Sequence, residues 1–339
     1  MERMTGASLI KRNRNVVTPF LLNVKKSGEQ WIDIKVIRVF RLLPKKRVVA
    51  LADCQGQYIL VKVFLGRHAC RNSKRDVLGV SHITKAGVTT PALLWEGMVA
   101  DTGELLAFEY LPDAISLDAG LQKFKGEREK LVSEIMKVMA QLHENGVVQK
   151  DIHLGNFLLS NGNCYTIDGG GVEKQSKKAL SERASLKNLS FFFAQFPIEF
   201  DIFVPSAFVI YENARHWRYH QRRVAALLTE IGRSREVRKR IFMRKTLRDC
   251  TRFMCSSTFT RFMVCERNAL NDELRQVLQD IDRFVDLGCI LKSGHTATVS
   301  LVKLGHRSLV IKRYNVKGFF HALKLVFRNS RARTSWKNA

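Results

Sequence analysis

The spacing of apolar and polar positions changes along the chain, and each spacing predicts a different element. Residues 57–64, QYILVKVF, are dense in Val, Ile and Phe, which is typical of a β-strand. Residues 126–146 place apolar side chains at positions 131, 135, 138, 139 and 142, a helical spacing that ends at Gly146. Between them, residues 103–117 predict a strand, a turn and the start of a helix. The pattern therefore predicts a sheet-rich part followed by a helical part.

A single lysine, Lys62, lies inside the apolar strand. A charge there is costly unless it pairs with an opposite charge or meets an anion. Asp76 is the one carboxylate between Asp53 and Glu96, and it lies in a segment, 71–87, that predicts a helix. We predict an ion pair between Lys62 and Asp76. The alternative is an edge strand from which Lys62 extends its amine to solvent.

A polar loop follows the long predicted helix. Residues 147–171, VVQKDIHLGNFLLSNGNCYTIDGGG, place Asp151 five positions before Asn156, and Asp168 opens a glycine turn after an apolar run. Phosphoryl transfer needs a carboxylate that accepts the proton of the acceptor hydroxyl, and oxygen ligands for metal ions. The pattern predicts Asp151 as general base, and Asn156 with Asp168 as ligands of Mg²⁺. Taken alone, a D-x-x-x-x-N spacing is also typical of a polar surface loop.

The connection between the two predicted parts is the third component of a nucleotide site. Residues 109–111 follow the predicted strand, where backbone groups can face an adenine ring, so Glu109 and Leu111 are predicted to bind ATP. The strand lysine, acidic helix, connection, long helix, loop and second aspartate occur in this order along the chain. Their joint occurrence favours a phosphotransferase over a chance match of one motif.

With these motifs the chain resembles the protein-kinase-like superfamily, and within it the heptose and Kdo kinases of the bacterial lipopolysaccharide core. The resemblance covers roughly residues 35–225 and is most specific in KDIHLGN, TIDGGG and LKNLSFFFAQFP. It implies an α+β, protein-kinase-like two-lobe fold, with a small antiparallel sheet lobe and a helical lobe. It also implies that Lys62 contacts the α and β phosphates of ATP, that Asp76 orients Lys62, and that the loop residues act as base and magnesium ligands.

The chain departs from the family pattern at three places. Gln149 and Lys150 stand where His-Arg or His-Gly is usual, which affects the packing of the loop. Asp76 is one methylene shorter than the usual Glu, so we expect a looser ion pair. The first predicted hairpin, RLLPKKRVV, has no glycine-rich turn, and we expect Lys45, Lys46 and backbone amides to cover the phosphates instead.

The residues after Asp168 bear on the acceptor. Eukaryotic-type protein kinases close an activation segment with A-P-E to build a peptide platform, and residues 169–189 reach an aromatic helix without that closure. His153 gives the D-x-H-x-G-N form found in kinases of sugars and other small hydroxyl compounds, although we interpret His153 itself as a packing residue. We predict transfer of the γ-phosphate to a sugar hydroxyl of the lipopolysaccharide core. The alternatives are an atypical protein kinase and a pseudokinase or binding scaffold.

Composition adds a bias toward anionic partners. Lys plus Arg number 57 against 31 Asp plus Glu, a net charge of +26, which suits a phosphorylated glycolipid or an anionic inner-membrane surface. Nucleic acid is disfavoured because the basic residues are dispersed and no recognition motif is present. The most apolar stretch, 189–211, is interrupted by prolines and acids too soon to span a bilayer, and the N-terminus has no cleavable apolar core. We expect a cytoplasmic protein, peripheral at the inner membrane, with its seven cysteines reduced.

The last third of the chain repeats part of this pattern. Residues 233–254 predict a basic helix, a second helical segment follows, and residues 290–315 predict two strands around a turn with Lys312 in the second. These strands resemble the opening of another kinase small lobe, with Lys312 at the position of Lys62. No acidic residue follows Asp286, so this copy lacks a partner for Lys312 and a base. It is either a truncated module or a docking element.

These patterns divide the chain into four regions. We predict an N-terminal extension, a kinase-like domain, a basic helical linker and a partial second small lobe, at 1–34, 35–230, 231–286 and 287–339. The hydrophobic content of 45% is sufficient for more than one core over 339 residues.

Overall fold

The computed structural model describes residues 1–28, 30–258, 261–315 and 331–338. They form two compact units, Met1–Glu236 and Val237–Ala339, and mix helices with mostly antiparallel sheets. In these described segments, no helix combines the length and the apolar content needed to cross a membrane.

The main sheet of the first unit has seven strands and closes on itself. Its order is β1-β2-β3-β4-β5-β7-β6, and β2 also pairs with β6. All pairs are antiparallel except β1 with β2. The strands are β1 Arg3–Met4, β2 Phe20–Lys26, β3 Trp31–Leu43, β4 Arg47–Cys54, β5 Gln57–Phe64, β6 Leu93–Val99 and β7 Glu104–Glu109.

The N-terminal residues belong to this sheet. They supply β1, the helix α1 Gly6–Arg12, β2 and the start of β3, and Leu22 and Val24 of β2 are buried in the sheet core. The predicted extension at 1–34 is therefore wrong. The apolar runs within 1–34 are short and interrupted. Strand β2 is held in place by pairing with β3 and with β6, which lies more than 60 positions further along the chain.

A helical part follows the sheet within the same unit. Its core is built from apolar faces of the long fourth helix and the two helices after the glycine turn, including Ile135, Met139, Phe192 and Phe208. The helices of the unit are α2 Ala69–Lys85, α3 Leu117–Lys123, α4 Arg128–Glu144, α5 Glu182–Phe193, α6 Val204–Ala214 and α7 Gln221–Lys245.

Five short strands carry the polar loop and the glycine turn on this helical base. One sheet has the order β11-β10-β8, and β12 pairs with β9. These strands are β8 Ile115–Ser116, β9 Val147–Gln149, β10 Phe157–Ser160, β11 Asn163–Thr166 and β12 Val172–Lys174.

The second unit begins within α7. The basic helix predicted over 233–254 ends at Lys245, and a strand starts at Phe253, so its last part was predicted wrongly. The predicted linker also contains a hairpin, and the predicted strand pair is a three-stranded sheet in the order β15-β16-β17. The elements are β13 Phe253–Ser257, β14 Phe262–Glu266, α8 Asp272–Gln279, α9 Ile281–Leu287, β15 Cys289–Ser293, β16 Ala297–Leu304, β17 Arg307–Tyr314 and α10 Arg331–Asn338.

Candidate active site

A cavity of about 530 Å³ in the first unit brings together most of the residues predicted from sequence. Its size is that of a small-molecule site. Five of the seven predicted residues line it: Lys62, Glu109, Leu111, Asn156 and Asp168. The other two do not line it. Asp76 is buried beside Lys62, and Asp151 is exposed on the loop that carries Asn156.

Lys62 and Asp76 form the predicted ion pair. The Nζ atom of Lys62 lies 3.0 and 3.1 Å from the two carboxylate oxygens of Asp76. Lys62 is 8% exposed and Asp76 is fully buried. Because β5 lies between β4 and β7, the edge-strand alternative does not hold. Both oxygens are engaged, so the expectation of a looser pair was wrong: the shorter side chain reaches because α2 approaches closely.

Two glycines allow that approach. A methyl group added at Gly79 on α2 would overlap the backbone carbonyl of Gly169, and one added at Gly169 would overlap the backbone carbonyl of Asp76. The helix and the glycine turn therefore meet backbone against backbone. This contact places Asp76 and Asp168, which are far apart in sequence, around the same lysine.

Asp168 stands at the start of that turn in a left-handed conformation, with φ 67° and ψ 64°. Its carboxylate lies 3.3 Å from Nη1 of Arg47 and 3.9 Å from Nζ of Lys62. Burial raises the pKa of Asp168, but the positive charges of Lys62, Arg47 and Arg41 together lower it by more. The pKa of Asp168 is therefore below its usual value. The Asp168 carboxylate is therefore charged and lies close to two cationic side chains.

Hydrogen bonds within the polar loop fix the distance between its functional residues. The Asn156 side-chain amide donates to the backbone carbonyl of Asp151 at 2.9 Å, and the Ile167 N–H donates to the backbone carbonyl of Asn156 at 2.8 Å. His153 Nδ1 accepts from the Gly155 N–H at 2.9 Å, so His153 shapes the loop. The Asp151 carboxylate is exposed.

A buried polar chain that the sequence analysis did not find supports the loop from the helical side. Asn188 donates to the backbone carbonyl of Gln149 at 2.8 Å and accepts from His143 Nε2 at 3.0 Å. The other ring nitrogen of His143 accepts from the Tyr211 hydroxyl at 2.8 Å. Burial lowers the pKa of His143 to about 4, which keeps the ring neutral. In the sequence, the signal for this polar chain is His143, a polar residue within the apolar face of a helix.

The predicted connection, 109–111, borders an apolar part of the cavity. Leu60 from β5 and Leu158 from β10 line that part. Because β5 and β10 belong to different sheets, two sheets contribute to it. The backbone N–H of Glu109 donates to Ala92 at 2.9 Å, so this donor is used within the protein. The Leu111 N–H has no hydrogen-bond partner among the described residues, which leaves it as the donor that an adenine could use.

The basic residues at the cavity differ from the predicted ones. Lys45 and Lys46 are exposed and do not line it. Three arginines of the same hairpin line it instead: Arg38, Arg41 and Arg47. Regular alternation does not predict that Arg38 and Arg41 share a face, because β3 has two register shifts, and Arg47 is the first residue of β4.

The donor set suits magnesium. Asn156 and Asp168 both line the cavity, and the Asn156 amide nitrogen is already bonded, which leaves its oxygen as the available ligand atom. Mg²⁺ is usually held by one or two carboxylates, with substrate phosphates and water completing the shell. A complete protein cage of three or more acidic, His or Cys side chains is not found in the described part of the chain, and this mode of binding does not require one.

No family model matches the sequence. Among solved structures, one described as "WaaP in complex with acyl carrier protein" is similar to this chain, with 18% identity and a TM-score of 0.44. The match covers 59% of this chain and 88% of the other.

Proposed function

We propose that the chain is an ATP-dependent kinase that transfers the γ-phosphate to an alcohol group. The observation that carries the proposal is the buried Lys62–Asp76 pair beside Asp168, at a cavity that Asn156 also lines. A buried lysine held by one carboxylate and close to a second is a preorganised positive charge, which is what polyphosphate recognition needs. Its fold would be that of a protein kinase, with the closed sheet as the small lobe.

Each residue then has a separate task. Asp76 holds the Lys62 ammonium in place, so that Lys62 can contact the α and β phosphates. Leu111, beside Glu109, offers its N–H to the adenine. Asp151 accepts the proton of the attacking hydroxyl. Asn156 and Asp168 would hold Mg²⁺, which when bound neutralises charge on the phosphate oxygens.

For the acceptor we propose a sugar hydroxyl of the lipopolysaccharide core. The glycine turn is followed by β12 and, a few residues later, by α5, which leaves no long segment to build a peptide platform. A phosphorylated glycolipid also matches the net charge of +26. An anionic cytoplasmic membrane surface, where such acceptors are made, would attract the same charge.

One observation favours the alternative of a binding scaffold. Arg47 lies 3.3 Å from the Asp168 carboxylate and so occupies the group that would hold the metal. If that pair were permanent, the protein could retain the fold without turnover.

The test is phosphate transfer from labelled ATP and magnesium to lipopolysaccharide core acceptors, compared with a panel of proteins and aminoglycosides. We expect label on the core acceptor, lost in Asp151→Ala. Label on proteins alone would identify an atypical protein kinase. ATP binding without hydrolysis or transfer to any acceptor would identify the scaffold.

A further inference from the structure

The first hairpin turns arginines toward the cavity through irregular pairing. β3 pairs with β4 through two register shifts, between positions 36 and 38 and between 39 and 41. In a regular strand, residues three positions apart face opposite sides. Here Arg38 lies opposite Leu51 and Arg41 opposite Val49, two residues on one face of β4. Val49 lines the cavity, so the bulges bring both arginines to that face.

The charges at the cavity do not balance. Lys62, Arg38, Arg41 and Arg47 line it, and the lining carboxylates are those of Asp168 and the exposed Glu109. The buried carboxylate of Asp76 is engaged by Lys62. Positive charge remains in excess after these pairs are formed, which favours a polyanionic ligand over a neutral one.

Arg47 is the most enclosed of the three arginines, with a side chain 18% exposed. Its Nη1 lies 3.3 Å from Asp168 and 4.0 Å from Asp76. Its Nε is buried and makes no hydrogen bond to any described residue. An unsatisfied buried donor is unfavourable, and a phosphate oxygen would satisfy it.

We propose that Arg47, assisted by Arg41, binds the polyphosphate of the nucleotide and replaces the backbone amides of a glycine-rich turn. The planar guanidinium can engage two phosphate oxygens at once, so side chains supply the donors that the RLLPKKRVV turn does not. Without nucleotide, Arg47 neutralises Asp168. This inference rests on the proposed kinase function and names the phosphate-binding residues of the same site.

The test is calorimetric binding of ATP, ADP and adenosine to the full chain, in EDTA and again with magnesium. We expect the wild type to prefer ATP over adenosine. Arg47→Ala should lower ATP affinity at least about tenfold, the value of a charged hydrogen bond, and leave adenosine affinity unchanged. Arg47→Lys should lose less, and Arg41→Ala should lose part of the preference. The matched control is Lys35→Ala, which replaces an exposed lysine on β3, the strand of Arg41, that does not line the cavity.

The outcomes separate the inference from the proposed function. Wild-type ATP preference that persists in Arg47→Ala overturns the inference alone, as does loss of the preference in a Lys45→Ala, Lys46→Ala double variant. Failure of the wild type to bind any nucleotide overturns both. Thermal melts check that each variant is folded. If Arg47→Ala does not fold, the ATP affinities of the two single variants Arg47→Lys and Arg41→Ala decide the matter.

Discussion

Two three-stranded antiparallel meanders, one in each unit, carry a lysine at the same place and surround it differently. In β3–β4–β5, Lys62 lies opposite Val49, and in β15–β16–β17, Lys312 lies opposite Val299. Lys62 is 8% exposed, whereas Lys312 is exposed. The two meanders therefore share the strand pattern that contains the lysine, but they differ in how deeply the lysine is buried.

The difference comes from what packs on each third strand. β5 has a neighbour on both sides, and helix α2 brings Asp76 to Lys62. β17 pairs with β16 alone in the part of the chain that the structure describes, and Asp282 and Asp286 contact Arg313 instead. The Lys312 amine lies 5.0 Å from the ring centroid of Tyr314. In this chain, the strand lysine that lines a cavity is the one to which a helix brings a carboxylate.

The largest contrast between the units is expected for carboxylates. Asp151→Ala should lower phosphate transfer about a thousandfold or more, because no other carboxylate of the loop can accept the proton. Asp272→Ala, a fully exposed acid on α8 of the second unit, should retain wild-type turnover. Steady-state transfer rates measure both. Near-normal turnover in a folded Asp151→Ala protein would assign the base elsewhere.

Substitution of Asp168 tests its role as a magnesium ligand without disturbing the backbone. Asparagine tolerates the left-handed conformation found there, so Asp168→Asn removes mainly charge. We expect turnover to fall on the order of a hundredfold, with loss of its magnesium dependence. No Asp or Glu lies between Asp286 and position 339, so these residues hold no counterpart of Asp168. A magnesium titration that matches the wild type would contradict the role.

The two lysines should differ in stability as well as in function. Lys62→Met leaves the Asp76 charge buried without its partner and should destabilise the first unit by about 3 kcal/mol. Lys312→Met should change the second unit by less than about 0.5 kcal/mol. Urea unfolding, fitted separately for each transition, measures the difference. Equal effects would show that burial of Lys62 contributes nothing.

The sequence was sufficient for the parts of the site whose signal is local. Lys62 in its strand, Asp151 and Asn156 five positions apart, and Asp168 before three glycines are all visible in short windows. Their joint arrangement followed from element order. In the structure Lys62, Asn156 and Asp168 line one cavity, and Asp151 lies outside its lining.

The parts that could not be predicted depend on distant pairing. Closure of the sheet requires β2 to pair with β6, and no pattern within 20–26 shows it. Arg38 and Arg41 reach the cavity through bulges in β3, and a bulge changes which residues share a face without changing composition. The close contact of Gly79 with Gly169 likewise joins two distant segments.

The contact between Gly79 and Gly169 has no equivalent at Gly294, the glycine in the turn between β15 and β16. Gly79→Ala would place a methyl group against the backbone of Gly169, which has no flexible side chain to move. We expect destabilisation of about 1–3 kcal/mol, together with lower turnover as Asp76 shifts. Gly294→Ala in the turn of the second meander meets its nearest atom at 3.6 Å, and should be close to neutral. Urea midpoints and transfer rates test this pair, and a neutral Gly79→Ala would show that the contact is not tight.

The smallest expected effect concerns pH. His143 of the first unit is buried and its pKa is lowered to about 4 from the ordinary 6.5, mainly by burial. Below pH 6.5 the unfolded chain takes up a proton at this ring and the folded chain does not. Stability from this group is therefore full above pH 6.5 and is lost as pH falls toward 4, by at most about 1.4 kcal/mol per pH unit.

The variant His143→Gln removes that titration. It should be less stable than the wild type near pH 7, because the bonds to Tyr211 and Asn188 are disturbed, but its stability should fall less steeply between about pH 6.5 and 5. His306→Gln, which replaces an exposed histidine of the second unit, is the matched control. Carboxylates titrate in the same window in all three proteins, so the difference in slope between variants is the quantity to measure by urea unfolding. If His143→Gln and the wild type lose stability in parallel, the His143 ring takes up its proton in the folded protein as readily as in the unfolded chain, which would contradict the lowered pKa.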